Sequence, residues 1–216
     1  MKSFVKALWS RTKADAKPRE LNHPSDLMVQ DMIQLSDSFA LPPRLRNQTF
    51  KVIGIVTYQF EHEYSTSFSL EGINQDHIDL TVTEEGGRAS AEFSLSIAQD
   101  QVEQIFNLDQ FSEVFDGQGR ARVECTSKLD LEAWLDDSYV QRAHSEAGYF
   151  YNSDCRGKGP STYEGDGEPF QYHSLVNQDQ SKAVEIEVYE GGETEVSLTL
   201  YRPIEDIKEL WPAEKK

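Results

Sequence analysis

The sequence predicts an α+β fold that is mainly antiparallel β and consists of two similar sheet-plus-helix lobes related by internal duplication. The first observation is a Glu-Gly-Gly tripeptide that occurs twice, as Glu85-Gly86-Gly87 and as Glu190-Gly191-Gly192. The second is that alternating apolar and polar residues flank both copies, which is typical of strands joined by a hairpin turn. The third is a short helix-like segment after each copy, ending at Phe106 and at Trp211.

The first hairpin has a consistent register when Gly86 and Gly87 alone form its loop. This loop places Val82 opposite Ala91, and the other apolar pairs then fall on the same face. Two adjacent glycines suit the positive φ angles of a type I′ turn. The sequence therefore predicts a two-residue turn here.

The second hairpin requires a longer loop. A two-residue loop would place Val188 opposite Glu195 and mix the two faces, whereas the three-residue loop Glu190-Gly191-Gly192 pairs Ile186 with Val196. A three-residue loop is typical of a bulged turn.

The two hairpin regions align without a gap at an offset of 105 residues. Phe93 then matches Leu198, and Leu95 matches Leu200. Recurrence of strand pattern, turn and trailing helix in the same order favours internal duplication. The alternative is that two unrelated amphipathic hairpins look alike.

The chain divides by composition into four segments. These are a basic amphipathic segment at 1–20, a linker at 21–44, a first β-rich lobe at 45–115 and a second β-rich lobe at 116–212, with the lobes packed together, as two units or as one domain. The trailing helices are predicted at 98–106 and 204–211, and a Gly- and Pro-rich loop at 152–169.

The formal net charge of −17 is unevenly distributed along the chain. Residues 1–20 contain six basic and two acidic side chains, so that the remainder carries nearly all of the acidity. An acidic body is unsuited to binding the phosphate backbone, because that binding depends on Lys and Arg. We therefore predict no nucleic-acid partner.

The N-terminal segment gathers Phe4, Leu8 and Trp9 on one side of a short helix and lysines on another. Such a helix lies on an anionic membrane surface or docks in a groove of a partner. The alternative is a terminus that frays or packs on its own fold. With no apolar run of membrane-spanning length and no signal peptide, we expect a cytoplasmic protein, peripheral at the inner membrane if the segment binds lipid.

Known catalytic and cofactor-binding signatures are absent from the sequence, so we predict no catalytic residue, cofactor or metal ligand. Cys155 and Arg156 form the nearest approach to a reactive cluster, because a neighbouring cation favours a thiolate. The bland alternative is that Cys155 is an idle thiol. Its pairing with Cys125 is disfavoured in a cytoplasmic protein.

The second hairpin concentrates acidic residues on the face that we predict to be outward. Its register places Glu187 opposite Glu195, and like charges directly opposite one another destabilise a sheet. The candidate binding residues on this hairpin are Glu185, Glu187, Glu190, Glu193 and Glu195. One interpretation is a charged edge that prevents aggregation. The other is a binding site for a cationic partner.

Several ordered motifs resemble the YjfK-like proteins, an uncharacterised proteobacterial family. They are Leu41-Pro42-Pro43, Gly148-Tyr149-Phe150-Tyr151, the run from Glu187 to Val196, and Leu200-Tyr201-Arg202-Pro203. The resemblance covers nearly the whole chain from about residue 20. It implies a genomic setting near membrane-stress proteins, small membrane proteins and polyamine-linked ligase-like enzymes, and it carries over no catalytic residue.

Three functions follow in order of preference. The first is a non-enzymatic accessory protein that binds another protein of a bacterial membrane-stress system. The alternative is a module that binds a polyamine or another small cation through the acidic hairpin. An enzyme that works through Cys155 is the least favoured.

Overall fold

The computed structural model describes residues 19–61, 63–73, 75–117, 119–157 and 167–214. Its main feature is a closed barrel of eight antiparallel strands, to which three shorter strands and two short helices are added. Neither described helix has the length and apolar character that a membrane crossing requires.

The strands and helices follow one another along the chain in a simple order. They are β1 (Met32–Leu35), β2 (Thr49–Gln59), β3 (Tyr64–Gly72), β4 (His77–Glu85), β5 (Arg88–Ile97), α1 (Gln99–Ile105), α2 (Leu108–Ser112), β6 (Arg122–Glu124), β7 (Ser138–Tyr151), β8 (Glu168–Val176), β9 (Lys182–Tyr189), β10 (Thr194–Pro203) and β11 (Ile207–Trp211). Around the barrel the order is β2-β3-β4-β5-β10-β9-β8-β7, and β7 pairs again with β2. Strands β11 and β1 extend the sheet beyond β2, and β6 extends it beyond β7.

The predicted pair of sheet-plus-helix lobes is wrong. Strand β5 pairs with β10, with Leu95 opposite Leu198, and β2 pairs with β7, with Tyr58 opposite Phe150. The outer strands of each predicted lobe therefore hydrogen-bond to the other lobe, and closure leaves no sheet edge between them. Local alternation predicts the strands but does not distinguish two open sheets from one closed sheet.

The predicted helix at 204–211 is also wrong, whereas the one at 98–106 is confirmed as α1. Residues Ile204–Asp206 form a single 3-10 turn, and β11 follows it directly. Strand β11 pairs with β1, with Met32 opposite Trp211. Backbone pairing with the otherwise free edge of β1 outweighs the weak helical periodicity of this short segment.

Both hairpin turns are confirmed. Gly86 and Gly87 have φ angles of 59° and 78°, and Glu85 pairs with Arg88 across them. In the second hairpin the amide of Tyr189 donates to the carbonyl of Glu193 at 2.8 Å, which encloses a three-residue loop. The register therefore places Glu195 opposite Glu187, as predicted.

The hydrophobic core lies outside the barrel, between its wall and a covering layer. Phe68, Phe93 and Leu198 are fully buried on the outer face of the wall. The covering layer consists of residues 19–48, both helices and residues 106–136, and it contributes Leu35 and Trp134 to the same cluster. Each fully buried side chain of this size contributes about 2–3 kcal/mol to stability.

The polar face of the strands lines the interior of the barrel. Tyr58 in β2 contacts Phe170 in β8, with ring centroids 5.8 Å apart, although β7 lies between these strands. Burial, and after it the negative charge of Glu187 in β9, one strand further along the wall, raises the pKa of Tyr58. Contacts between non-neighbouring strands on one face of a closed sheet can form only across its interior. We call this interior the lumen.

Candidate binding site in the barrel lumen

The sequence predicts that the acidic face of the second hairpin is outward. In the structure this face points into the lumen. Glu185, Glu187 and Glu195 alternate along β9 and β10 with buried apolar residues such as Ile186 and Val196. Alternation fixes which residues share a face but not which face meets solvent. The covering layer buries the apolar face, so the carboxylates turn inward.

Four aromatic rings form a collar within the lumen. Tyr58 lies 5.5 Å from Phe150 and 5.8 Å from Phe170, and Tyr189 lies 5.8 Å from Phe170 and 6.4 Å from Phe150, measured between ring centroids. Gly148 makes room for this arrangement, because a Cβ at that position would lie 2.5 Å from the ring of Phe170. The collar is therefore built into the backbone of β7.

Glu187 is the carboxylate at the collar. The hydroxyl of Tyr189 donates to its Oε2 at 2.5 Å. The negative charge of Glu187 also adds to burial in raising the pKa of Tyr58. Burial, followed by repulsion from Glu195 and Glu185, raises the pKa of Glu187 to about 7. Near neutral pH this group is balanced between its neutral and ionised forms.

Glu185 lies deeper in the lumen. It accepts hydrogen bonds from Thr199 Oγ1 at 2.7 Å and from Tyr172 Oη at 2.9 Å. Burial raises its pKa, and the two hydrogen bonds oppose that shift. The ring of Phe60 lies 5.5 Å from that of Tyr172, so this second carboxylate also has aromatic rings in its surroundings.

Glu92 in β5 is the third luminal carboxylate. It accepts a hydrogen bond from Thr83 Oγ1 at 3.1 Å, and it faces Tyr201 on the neighbouring strand β10. Burial, together with the negative charge of Glu185, raises the pKa of Glu92 to about 7. The negative charge of Glu185 therefore acts on both Glu92 and Glu187.

Hydroxyl groups satisfy these three carboxylates, and no basic side chain within the described residues hydrogen-bonds to Glu92, Glu185 or Glu187. Buried carboxylates ordinarily pair with Lys or Arg, because an unpaired buried charge is costly. The lumen thus holds carboxyl groups for whose ionised forms the described part of the chain supplies no direct cationic partner.

The lumen is not filled by side chains. Glu185 and Tyr172 lie on the luminal face, and each keeps part of its surface accessible to a water-sized molecule. Glu92 and Glu187 also keep part of their surface accessible. Accessible surface on enclosed side chains requires open space inside the barrel.

One end of the lumen has an acidic mouth, defined by Asp79, Glu168, Glu193 and Glu195. Repulsion from the other three acids of this mouth adds to burial in raising the pKa of Glu195. Strands β3, β5, β7 and β9 run in the same direction along the barrel, so all four end at this mouth. Glu190 is exposed in the turn beside the mouth.

The Arg156 guanidinium contacts groups other than the Cys155 thiol. The guanidinium of Arg156 donates to the carbonyls of Ser25 and Leu27 at 2.5 and 2.7 Å, and it lies 5.1 Å from the centre of the Phe68 ring. It also forms an ion pair with Asp154. Arg156 therefore fastens the N-terminal part of the covering layer to the barrel wall.

Cys155 and Cys125 are both free thiols. Cys155 lies against Ser153, with 3.6 Å between Sγ and Oγ. Burial raises the pKa of Cys125. The remaining predicted residues Phe4, Leu8 and Trp9 lie outside the described residues.

A second concavity lies in the covering layer. It has a volume of about 330 Å³ and is bordered by residues 42–45 and 130–134. Ile78 and Leu95 line it from the outer face of the barrel wall. The wall separates this cleft from the lumen.

The residues that the sequence reasoning missed are the aromatic side chains of the lumen and Glu92. Their only signal was that Tyr58, Tyr172 and Tyr201 occupy positions on the polar face of their strands. Large rings on a face predicted to be solvated indicate an enclosed face, and this signal was available in the sequence.

No protein-family model, curated protein or solved structure matches this chain. The resemblance to the YjfK-like family therefore stays a prediction. Within the described residues, no group of three or more His, Cys, Asp or Glu side chains is arranged to hold a metal ion.

Proposed function

We propose that this protein is a small-ligand binding module that holds an organic cation in the lumen of its barrel. The supporting observation is a set of three enclosed carboxylates, Glu92, Glu185 and Glu187, around open space and without a basic partner in the described residues. A bound cation would offset the burial of this charge, much as Lys or Arg does in an ordinary buried ion pair.

The aromatic collar supports a cation that also carries apolar groups. Aromatic faces attract cations, and the interaction strengthens when water is excluded. Most ligand sites are lined by apolar and aromatic groups with a few polar groups that fix orientation. Tyr58, Phe150, Phe170 and Tyr189 supply the first kind of group, and Glu187 supplies the second.

The acidic mouth supports the same class of ligand. Carboxylates gathered at the entrance of a low-dielectric cavity raise the local concentration of cations and speed their association. Glu193 and Glu195 are exposed at this entrance. Increasing ionic strength should therefore slow binding.

Titration calorimetry of the full chain with spermidine at pH 7.5 tests the proposal. We expect measurable heat with the unaltered protein, and at least a tenfold loss of affinity in Glu187→Gln because it removes the charge at the collar. Glu113→Gln is the matched control, since Glu113 is exposed at the end of α2 outside the barrel. Flat heats at millimolar spermidine, or equal affinities in both variants, would overturn the proposal.

A second candidate function is the predicted accessory protein that binds another protein. Met28, Val29, Met32 and Trp211 are exposed, and Met32 pairs with Trp211 where β11 forms the edge of the sheet. Exposed apolar side chains beside an open strand edge favour contact with a second chain.

A pull-down from native bacterial cells tests this second function. Full-length protein carrying Trp211→Glu should lose any partner that the unaltered protein retains at low salt, whereas Glu209→Gln on the same strand should keep it. Recovery of no specific protein by the unaltered chain would argue against the accessory function. It would leave the proposal on the lumen unaffected.

A further inference from the structure

We infer that the ligand of the lumen is a linear amine with at least two cationic nitrogens, an inference that rests on the proposed function. Glu185 and Glu187 are two residues apart on β9, and both point into the lumen. Residues with this spacing on a strand lie about 6.6–6.8 Å apart along it. A single compact cation at the collar would leave the deeper carboxylate uncompensated.

Glu92 continues this series on the opposite side of β10. Strand β10 pairs with both β9 and β5, and Tyr201 on β10 stands opposite Glu92. Thr199 on β10 hydrogen-bonds both Glu185 and Ser94, and Ser94 is two residues from Glu92 on the same face of β5. The carboxylates therefore form steps along the lumen and not a single cluster around one point.

Aromatic rings accompany these steps along the same length. Tyr189 of the collar hydrogen-bonds Glu187, and Tyr172, whose ring contacts that of Phe60, hydrogen-bonds Glu185. Phe170 connects the two levels, with its ring centroid 5.8 Å from those of both Tyr189 and Phe60. Rings between carboxylates suit the methylene groups of an alkyl amine, because apolar segments pack on aromatic faces while each nitrogen reaches a carboxylate.

The open space beside the carboxylates leaves room for a ligand. Glu185 and Tyr172 lie on the luminal face of the strands and still have accessible surface. A metal ion fits the site poorly, since the described residues hold no group of three metal-ligating side chains. An extended organic dication uses both the spacing and the rings.

Calorimetric competition on the full chain at pH 7.5 tests the inference with 1,4-diaminobutane, butylamine and tetramethylammonium. The nitrogens of extended 1,4-diaminobutane are roughly 6 Å apart, which follows from five bonds of ordinary length and matches the step between Glu187 and Glu185. We expect the diamine to bind at least tenfold more tightly than butylamine. In Glu185→Gln this ratio should fall to about one.

A series of diamines with three to eight carbons supplies a readout that needs no variant, and affinity should peak near four or five carbons. Thermal unfolding of Glu185→Gln checks that the variant is folded. Equal affinities for butylamine and 1,4-diaminobutane, or no dependence on chain length, would contradict the inference and leave the proposed function intact. Failure of all three probes and of spermidine to bind would contradict both.

Discussion

The luminal carboxylates should make the protein less stable as the pH rises, and Glu187 shows why. Its pKa is raised from 4.5 to about 7 in the folded protein, chiefly by burial. The folded state therefore holds a proton more tightly than the unfolded state between these pH values. Below the pKa of the unfolded state the carboxyl is neutral in both states and does not lower the free energy of unfolding. This stability is lost as the pH rises through the pKa of the folded state.

The magnitude follows from the shift itself. Each pKa unit corresponds to about 1.4 kcal/mol, so ionisation of Glu187 lowers the free energy of unfolding by at most about 3 kcal/mol above pH 7. In a protein of this size 1 kcal/mol changes the melting temperature by about 2–4 °C. Glu187→Gln keeps the shape of the side chain without the charge. It should raise the melting temperature by up to about 10 °C at pH 9 and change it little at pH 4.5.

Differential scanning calorimetry at pH 4.5, 6, 7.5 and 9 measures this effect, with Glu113→Gln as the control. Glu187→Gln should therefore gain stability while it loses affinity for the ligand. A merely structural role would lower both stability and affinity. An equal or lower melting temperature of Glu187→Gln at pH 9 would show that ionised Glu187 does not destabilise the fold.

Three further predictions concern the wall of the barrel and the thiols. Gly148→Ala should destabilise the protein by about 1–3 kcal/mol in urea unfolding and weaken spermidine binding, because the new methyl group displaces the Phe170 ring; unchanged stability would show that the ring moves freely. Arg156→Ala should lower stability by about 2–3 kcal/mol, since it removes two hydrogen bonds to backbone carbonyls and the contact with Phe68, and Arg156→Lys should restore only part of the loss. At pH 8 the thiol of Cys125 should react with iodoacetamide more slowly than free cysteine, because burial raises its pKa; an equal rate would contradict this.

The sequence was informative about local structure. Adjacent glycines predicted the two-residue turn at Gly86-Gly87, and the need to keep apolar residues together predicted the three-residue turn after Tyr189. Alternation also predicted that Glu187 stands opposite Glu195. These features depend on neighbouring residues, so a single sequence contains the information.

The closure of the barrel was beyond such reasoning, because it depends on pairings between distant strands. Tyr58 pairs with Phe150, and nothing local to either residue indicates the other. The direction of the glutamates depends in turn on closure and on the covering layer. Once Leu35 and Trp134 cover the apolar face, Glu185 can only point into the lumen.

A crystal structure of the full protein grown with 1,4-diaminobutane at pH 7.5 tests the central claim most directly. We expect electron density for the diamine inside the barrel, with one nitrogen within hydrogen-bond distance of a Glu187 carboxylate oxygen and the other near Glu185. Density at the exposed glutamates of the mouth alone, or a lumen that contains only water while the diamine is present in excess, would contradict it.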